Sequence, residues 1–250
     1  MKWIKILILT VGFWSVAESQ ARAQIDTLFY FAAPWVTPDH WWRDPIEFHF
    51  ATFGNDTEIR LRQPAGTYDT TFTVLANDFF NKDVTHLMNM SGNDSLECKP
   101  ADMVLDYGFE ITSDYPITVV YDVITRPSQY YNPETYSLKG QNGIGYEFVT
   151  PYQTLWRNRT LGGDLNGDGT ITQPKQQFSV VATEDNTTIW ITPACDIVGH
   201  PAGITFAITL DFKGQVYTAE NVTQFTQTYG SNMAGSIVSA DKPVSVIVSD

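Results

Sequence analysis

The chain has 250 residues, with 15 basic against 28 acidic and a formal net charge of −13. A nucleic-acid surface needs clustered Lys and Arg to neutralise phosphates, and no such cluster occurs here, so nucleic acid is excluded as a partner. Gly (17) and Pro (13) are frequent and charged residues make up only 17%, a composition of short strands and tight turns rather than long solvated helices.

Lys2 and Lys5 open the chain, an apolar stretch runs from Ile6 to Val16, and Ala21-Arg22-Ala23 supplies a small-x-small site. That pattern is a signal peptide over residues 1–23, cut before Gln24. Its apolar run is too short for a bilayer, which takes about 20 residues. No later segment is apolar enough to span, so no transmembrane segment is expected and the product is secreted or held at the cell surface. The leader holds three basic residues and one acidic, which leaves 12 basic against 27 acidic in the mature chain. That balance favours solubility and tolerates cations.

The first apolar block is Phe29-Tyr-Phe-Ala-Ala-Pro-Trp35, and Trp35, His40, Trp41 and Trp42 crowd the loop after it. Loop aromatics stack on sugar rings or anchor a protein partner; they also cap the ends of buried cores. Trp35, Trp41, Trp42 and the later Trp156 are the ligand-binding candidates. Ile46-Glu-Phe-His-Phe-Ala-Thr52 and Thr57-Glu-Ile-Arg-Leu-Arg62 alternate apolar and polar residues, with the turn Gly54-Asn-Asp56 between them. Period-2 alternation sets one strand face on a core and the other toward water. Cys98 follows; with Cys195 it makes two cysteines, free to pair in an oxidising compartment or to stand as separate buried thiols.

Gly108-Phe-Glu-Ile-Thr-Ser-Asp-Tyr-Pro-Ile-Thr-Val-Val-Tyr-Asp122 is the next strand pattern. The segment after it carries two Pro and no apolar period, so residues 126–139 read as a connector. In the second half, Asp164-Leu-Asn-Gly-Asp-Gly-Thr-Ile-Thr172 puts oxygen side chains at loop positions 1, 3 and 5 and then Gly, as a Ca²⁺ loop begins. Asp164, Asn166, Asp168 and the Thr170 carbonyl are the candidate metal ligands, and Ca²⁺ is the one cofactor indicated; no motif requires one. Position 12, where a bidentate carboxylate belongs, is Lys175. A Gly-Asp-Asn turn in a long loop accounts for the same residues.

The chain also contains itself twice, which ranks above any local motif. Residues 108–122 match 235–249, with Gly108 on Gly235, Asp114 on Asp241 and Pro116 on Pro243, 127 residues apart. Phe29–Trp35 matches Tyr146–Tyr152, Phe48–Pro64 matches Phe178–Pro193, and Thr71–Val74 matches Thr205–Ile208, in the same order. The expected fold is all-β: two tandem sandwich-like units related by internal duplication, over 27–125 and 140–250. The second unit stops inside its last strand, which reads as truncation.

Phe31-Ala-Ala-Pro34, Glu110-Ile-Thr-Ser-Asp-Tyr-Pro-Ile117, Ser137-Leu-Lys-Gly140, Gly145-Tyr-Glu-Phe148, Val180-Val-Ala-Thr-Glu-Asp-Asn-Thr-Thr-Ile189 and Ser239-Ala-Asp-Lys-Pro-Val244 together resemble the IgGFc-binding protein N-terminal domain family, its bacterial surface members most closely. The resemblance implies an extracellular adhesive or ligand-binding module and supplies no catalytic residue. Neither H-E-x-x-H, G-x-S-x-G, a P-loop nor a dinucleotide fingerprint occurs,. The leading expectation is a non-catalytic surface module recognising an extracellular protein or glycan. A structural spacer of a larger surface protein is the alternative, and a carbohydrate-active enzyme ranks last. Six N-x-S/T sequons begin at Asn55, Asn89, Asn93, Asn158, Asn186 and Asn221.

Overall fold

The computed structural model describes residues 24–35, 43–88, 94–125, 134–152, 175–222 and 232–249. The leader lies outside them. The regular structure of the described chain is almost all strand, in two seven-stranded sheets.

In the first unit β1 (Asp26–Phe31), β2 (Arg43–Ala51), β3 (Thr57–Arg62), β4 (Asp69–Val74), β5 (Phe79–Asp83) and β7 (Phe109–Thr125) assemble in the order β4-β3-β7-β2-β5, with β1 also on β7. In the second, β9 (Ile144–Val149), β10 (Gln177–Ala182), β11 (Thr187–Thr192), β12 (Phe206–Leu210), β13 (Val216–Glu220) and β14 (Ile237–Ser249) repeat that order as β12-β11-β14-β10-β13, with β9 on β14. The duplication read from the sequence is therefore a duplication of topology.

Each unit turns on its long strand. The first half of β7 pairs with β1 and β3, and the second half, from Thr118, pairs with β2. β14 does the same, meeting β11 through Ala240 and β10 from Val244. The matched Pro116 and Pro243 sit at these corners, where the ladder changes partner and a missing N–H breaks no hydrogen bond. One strand thus belongs to both layers, and its inward residues close the sandwich. Phe31, Phe48, Phe109 and Tyr121 pack ring on ring in the first core, with centroids 4.8–5.9 Å apart. Fully burying one such side chain is worth roughly 2–3 kcal/mol.

The ladders fix residue equivalence better than sequence matching does. Phe48 faces Tyr121 as Phe178 faces Val248, and Ile59 faces Ser113 as Ile189 faces Ala240. The first block is the exception. Phe29 faces Ile111 and Phe148 faces Val238, so Phe29 rather than Phe31 is the counterpart of Phe148. A two-residue slip keeps every side chain on its face, so the alternation reads the same either way.

Two strands cross the boundary between units. β6 (Val104–Leu105), in the loop before β7, pairs with the outer edge of β13. β8 (Glu134–Ser137) pairs with β7 through Val120–Val123. Residues 134–137, expected in the connector, thus extend the first unit's sheet. A third small core, of Tyr30, Ala32, Cys98, Val181 and Val216, fills the seam between the units.

Candidate functional site

The seam is held by polar groups as well as apolar ones. Glu110, on the outward face of β7, is 2% exposed. The Tyr30 hydroxyl donates to its Oε2 at 2.7 Å, Arg62 Nε donates to its Oε1 at 2.8 Å, and Lys213 of the second unit pairs with Oε2. Burial alone would raise this carboxyl, but the hydrogen bonds from Lys213, Tyr30 and Arg62 outweigh it and hold the group below its ordinary range,. The Tyr30 phenol moves the other way, raised by burial and by its bond to the carboxylate. Nearby, the Gly108 N–H donates to the Gly214 carbonyl at 3.0 Å. A Cβ on Gly108 would stand 2.5 Å from that oxygen, so only glycine lets the two backbones approach.

A second polar clasp forms where the loop carrying β6 lies on the second unit. The Tyr217 hydroxyl donates to Asp102 Oδ1 at 2.8 Å, and His200 Nε2 meets the same oxygen at 3.0 Å. The His200 ring stacks on Phe206, 3.4 Å between centroids and 4° apart in plane. This geometry fixes the histidine as a strut between the loop and the unit beneath it.

The candidate binding site is at the start of β10, where four chain segments take root. Gln177 Nε2 donates to the Trp35 carbonyl at 2.6 Å, and the Tyr152 hydroxyl donates to the Gln177 carbonyl at 2.5 Å. Lys175 Nζ lies 4.5 Å from the Trp35 ring centroid and donates to Glu220 Oε1 at 2.6 Å. Lys99 Nζ stands 5.6 Å from the same ring and pairs with Asp94 and Glu97. The Gln176 N–H donates to Asn221 Oδ1, and its Oε1 accepts from the Met233 N–H. Trp35 precedes segment 36–42; Tyr152 and Lys175 flank 153–174; Asn221 and Met233 stand close to the ends of 223–231; Asp94 follows 89–93. The two loops singled out in the sequence therefore leave the sandwich from one cluster, at the seam.

Of the predicted site residues, Trp35 belongs to this cluster, half-buried and flanked by cations. Trp41, Trp42, Trp156, Asp164, Asn166, Asp168 and Thr170, with His40, lie outside the described residues. Lys175, at loop position 12, is committed to Glu220 and the Trp35 ring. Among the described residues no group of three or more His, Cys, Asp or Glu is placed to hold a metal ion. Cys98 and Cys195 are free thiols: of the two arrangements the sequence left open, the unpaired one is present. Burial in the seam raises the Cys98 thiol, and burial raises Cys195 to about 11. The sequon at Asn221 is spent on structure, because its side chain is 1% exposed and caps Gln176.

The sequence model of the family described as IgGFc binding protein matches residues 134–250. Residues 134–250 are an IgGFc-binding family domain. The match opens at Glu134, the first residue of β8, so the IgGFc-binding domain begins with the strand laid on the preceding unit. The first unit stands outside the match and repeats the strand order of the IgGFc-binding domain. Comparison with curated proteins and with solved structures gives no match. No helix among the described residues is long and apolar enough to cross a membrane.

Proposed function

We propose that this chain is an exported, non-catalytic binding module displayed at the cell surface. Its ligand is an extracellular protein, held by segments 36–42 and 153–174, whose neighbours Trp35, Tyr152 and Lys175 meet at the seam. The observation that carries this reading is the shared root of those segments on Trp35, Lys175 and Gln177. Trp41 and Trp42 belong to the segment that follows Trp35, and Trp156 to the segment between Tyr152 and Lys175; aromatic anchors in one patch are how interfaces concentrate binding energy. The family match supports a surface binding role, and the signal-peptide pattern of residues 1–23 supports export.

The test is a binding screen of the secreted chain against immunoglobulin, mucin glycoproteins and a glycan array, with Ca²⁺ and with chelator. Saturable binding to a protein, reduced at least about tenfold by Trp41→Ala with Trp42→Ala, is the expected result. Glycan hits alone would move the ligand class. Silence from folded protein would favour a spacer, which the strand exchange by β6 and β8 supports by making the two units one continuous body. Ca²⁺ at Asp164, Asn166, Asp168 and the Thr170 carbonyl belongs to the same proposal. Millimolar Ca²⁺ raises the melting temperature and Asp168→Ala abolishes the rise; equal melting in both proteins removes the metal.

A further inference from the structure

Because the two units are copies, each half of the seam has a counterpart elsewhere in the molecule. One half is the outward face of β1, β7 and β3 in the first unit, built on Tyr30, Glu110 and Arg62. Tyr30 faces Glu110 and Arg62 faces Glu110 across the ladders. Val149 faces Ile237 and Thr192 faces Ile237 in the second unit. The counterparts of Tyr30, Glu110 and Arg62 are therefore Val149, Ile237 and Thr192. Tyr30 and Glu110 are covered, at 7% and 2% exposed, whereas Val149 is 66% and Ile237 49% exposed.

The other half of the seam is the β12–β13 turn with the start of β13. Val181 faces Val216 and Val180 faces Tyr217, and Val216 is fully buried. In the first unit Ala51 faces Phe79 and Phe50 faces Phe80. Phe79 thus occupies the place of Val216, yet it is 73% exposed, with Leu75 and Phe53 exposed on adjoining turns. The turns correspond as well. The Thr52 N–H donates to the Asp78 carbonyl as the Ala182 N–H donates to that of Gln215. One residue earlier stand Asn77 (φ 56°) and Gly214 (φ 86°), both left-handed, and two earlier stand Ala76 and Lys213.

The charged residues of the seam have changed together. Where the seam sets Lys213 against Glu110, Arg62 and Tyr30, the free surfaces offer Ala76 on one side and Ile237, Thr192 and Val149 on the other. Ala76 stands in the place of Lys213 and Ile237 in that of Glu110, and an apolar set in place of a buried ion cluster is neutral or stabilising. The outer edge of β5 also matches that of β13. β6 covers only Val216 and Tyr217, which correspond to Phe79 and Phe80, and among the described residues no strand lies beyond β5. Lys82 guards the rest of that edge, where β13 has Ala219; an edge lysine discourages pairing past Phe80.

We infer that the chain associates head to tail with a second copy of itself. The β9–β14–β11 face of one copy (Val149, Thr192, Ile237) docks on the turn and β5 edge of the next copy's first unit (Ala51, Ala76, Phe79), repeating the seam between molecules. The interface joins two different surfaces, so each dimer keeps one free face of each kind and association continues beyond it, as an open chain or a closed ring. Each secreted copy carries 12 basic against 27 acidic residues, so like-charge repulsion opposes assembly and added salt relieves it.

The test is sedimentation velocity of the secreted chain across concentration and ionic strength, with Phe79→Asp and Ile237→Asp as variants. Both positions are exposed in the single chain, so each variant folds; an unchanged thermal melt checks this. The expected result is that the wild-type mass rises past about twice that of the monomer, more so in salt, and that each variant alone is monomeric. Mixed, the two variants give a one-to-one dimer and nothing larger, because each retains the face the other has lost. A monomer under all conditions, assembly that survives either substitution, or a mixture that stays monomeric overturns the inference. So does binding of Phe79 or Ile237 to a different protein without self-association.

Discussion

The two units share a strand order and differ in what covers them. In the second, β13 is sealed by β6 and Val216 has no exposure; in the first, β5 is an edge and Phe79 stands in the open. On the opposite side the contrast reverses, with Glu110 buried in the first unit and Ile237 exposed in the second. A duplicated fold thus carries two copies of each seam surface and uses one of each. The surfaces in use carry a charge network and Gly214, where the unused ones have Ala76, Ile237 and Val149 in place of the charges and Tyr30, and Asn77 in place of that glycine.

The largest effect that would break this contrast is at Glu110. Glu110→Ala leaves the buried Tyr30 hydroxyl without its acceptor and takes the carboxylate from Arg62 and Lys213, each about a third exposed, and denaturant unfolding should show a loss of about 3 kcal/mol. The quadruple replacement Tyr30→Val, Arg62→Thr, Glu110→Ile and Lys213→Ala copies the free surfaces into the seam and should recover most of that loss. Next comes Gly108→Val, which drives a side chain into the Gly214 carbonyl and the Val181 and Val216 methyls; about 2–3 kcal/mol of destabilisation is expected. At the matching Gly235 an added Cβ meets nothing, but φ is +85°. There Gly235→Ala costs only backbone strain, about 1–2 kcal/mol, so the two glycines separate steric from conformational demand.

Acidification probes the same network more gently. The folded Glu110 carboxyl is held below its ordinary value of 4.5, so its contribution is complete above that value and is lost as pH falls through the folded one. Melting temperature should fall with acid in the wild type, and Glu110→Gln should flatten that slope. The smallest expected effect is Phe79→Asp, which changes folding stability by no more than about 0.5 kcal/mol because the position is solvated. Val216→Asp, at the same place in the buried copy, should cost several-fold more, since it buries an unpaired carboxylate.

The sequence by itself determined the alternating strands within each unit, their faces and the duplication. Alternation in Ile46–Thr52 and Thr57–Arg62 is a local property that one buried face imposes on any strand, and Pro116 and Pro243 mark the corners because proline cannot serve a ladder there. It also brought Trp35 into the candidate site, since loop aromatics between strand blocks are visible as composition. Only the tertiary structure decided which outward faces stay outward. Glu110 alternates with Phe109 and Ile111 as a solvent-facing residue does, and nothing within its strand announces that Lys213, over a hundred residues later, will cover it. For the same reason the sequence left the two cysteines open, placed residues 134–137 in a connector and gave no sign of β6. Pairing between units depends on contacts distant in the chain, whereas periodicity reports only on a residue's nearest neighbours along the strand.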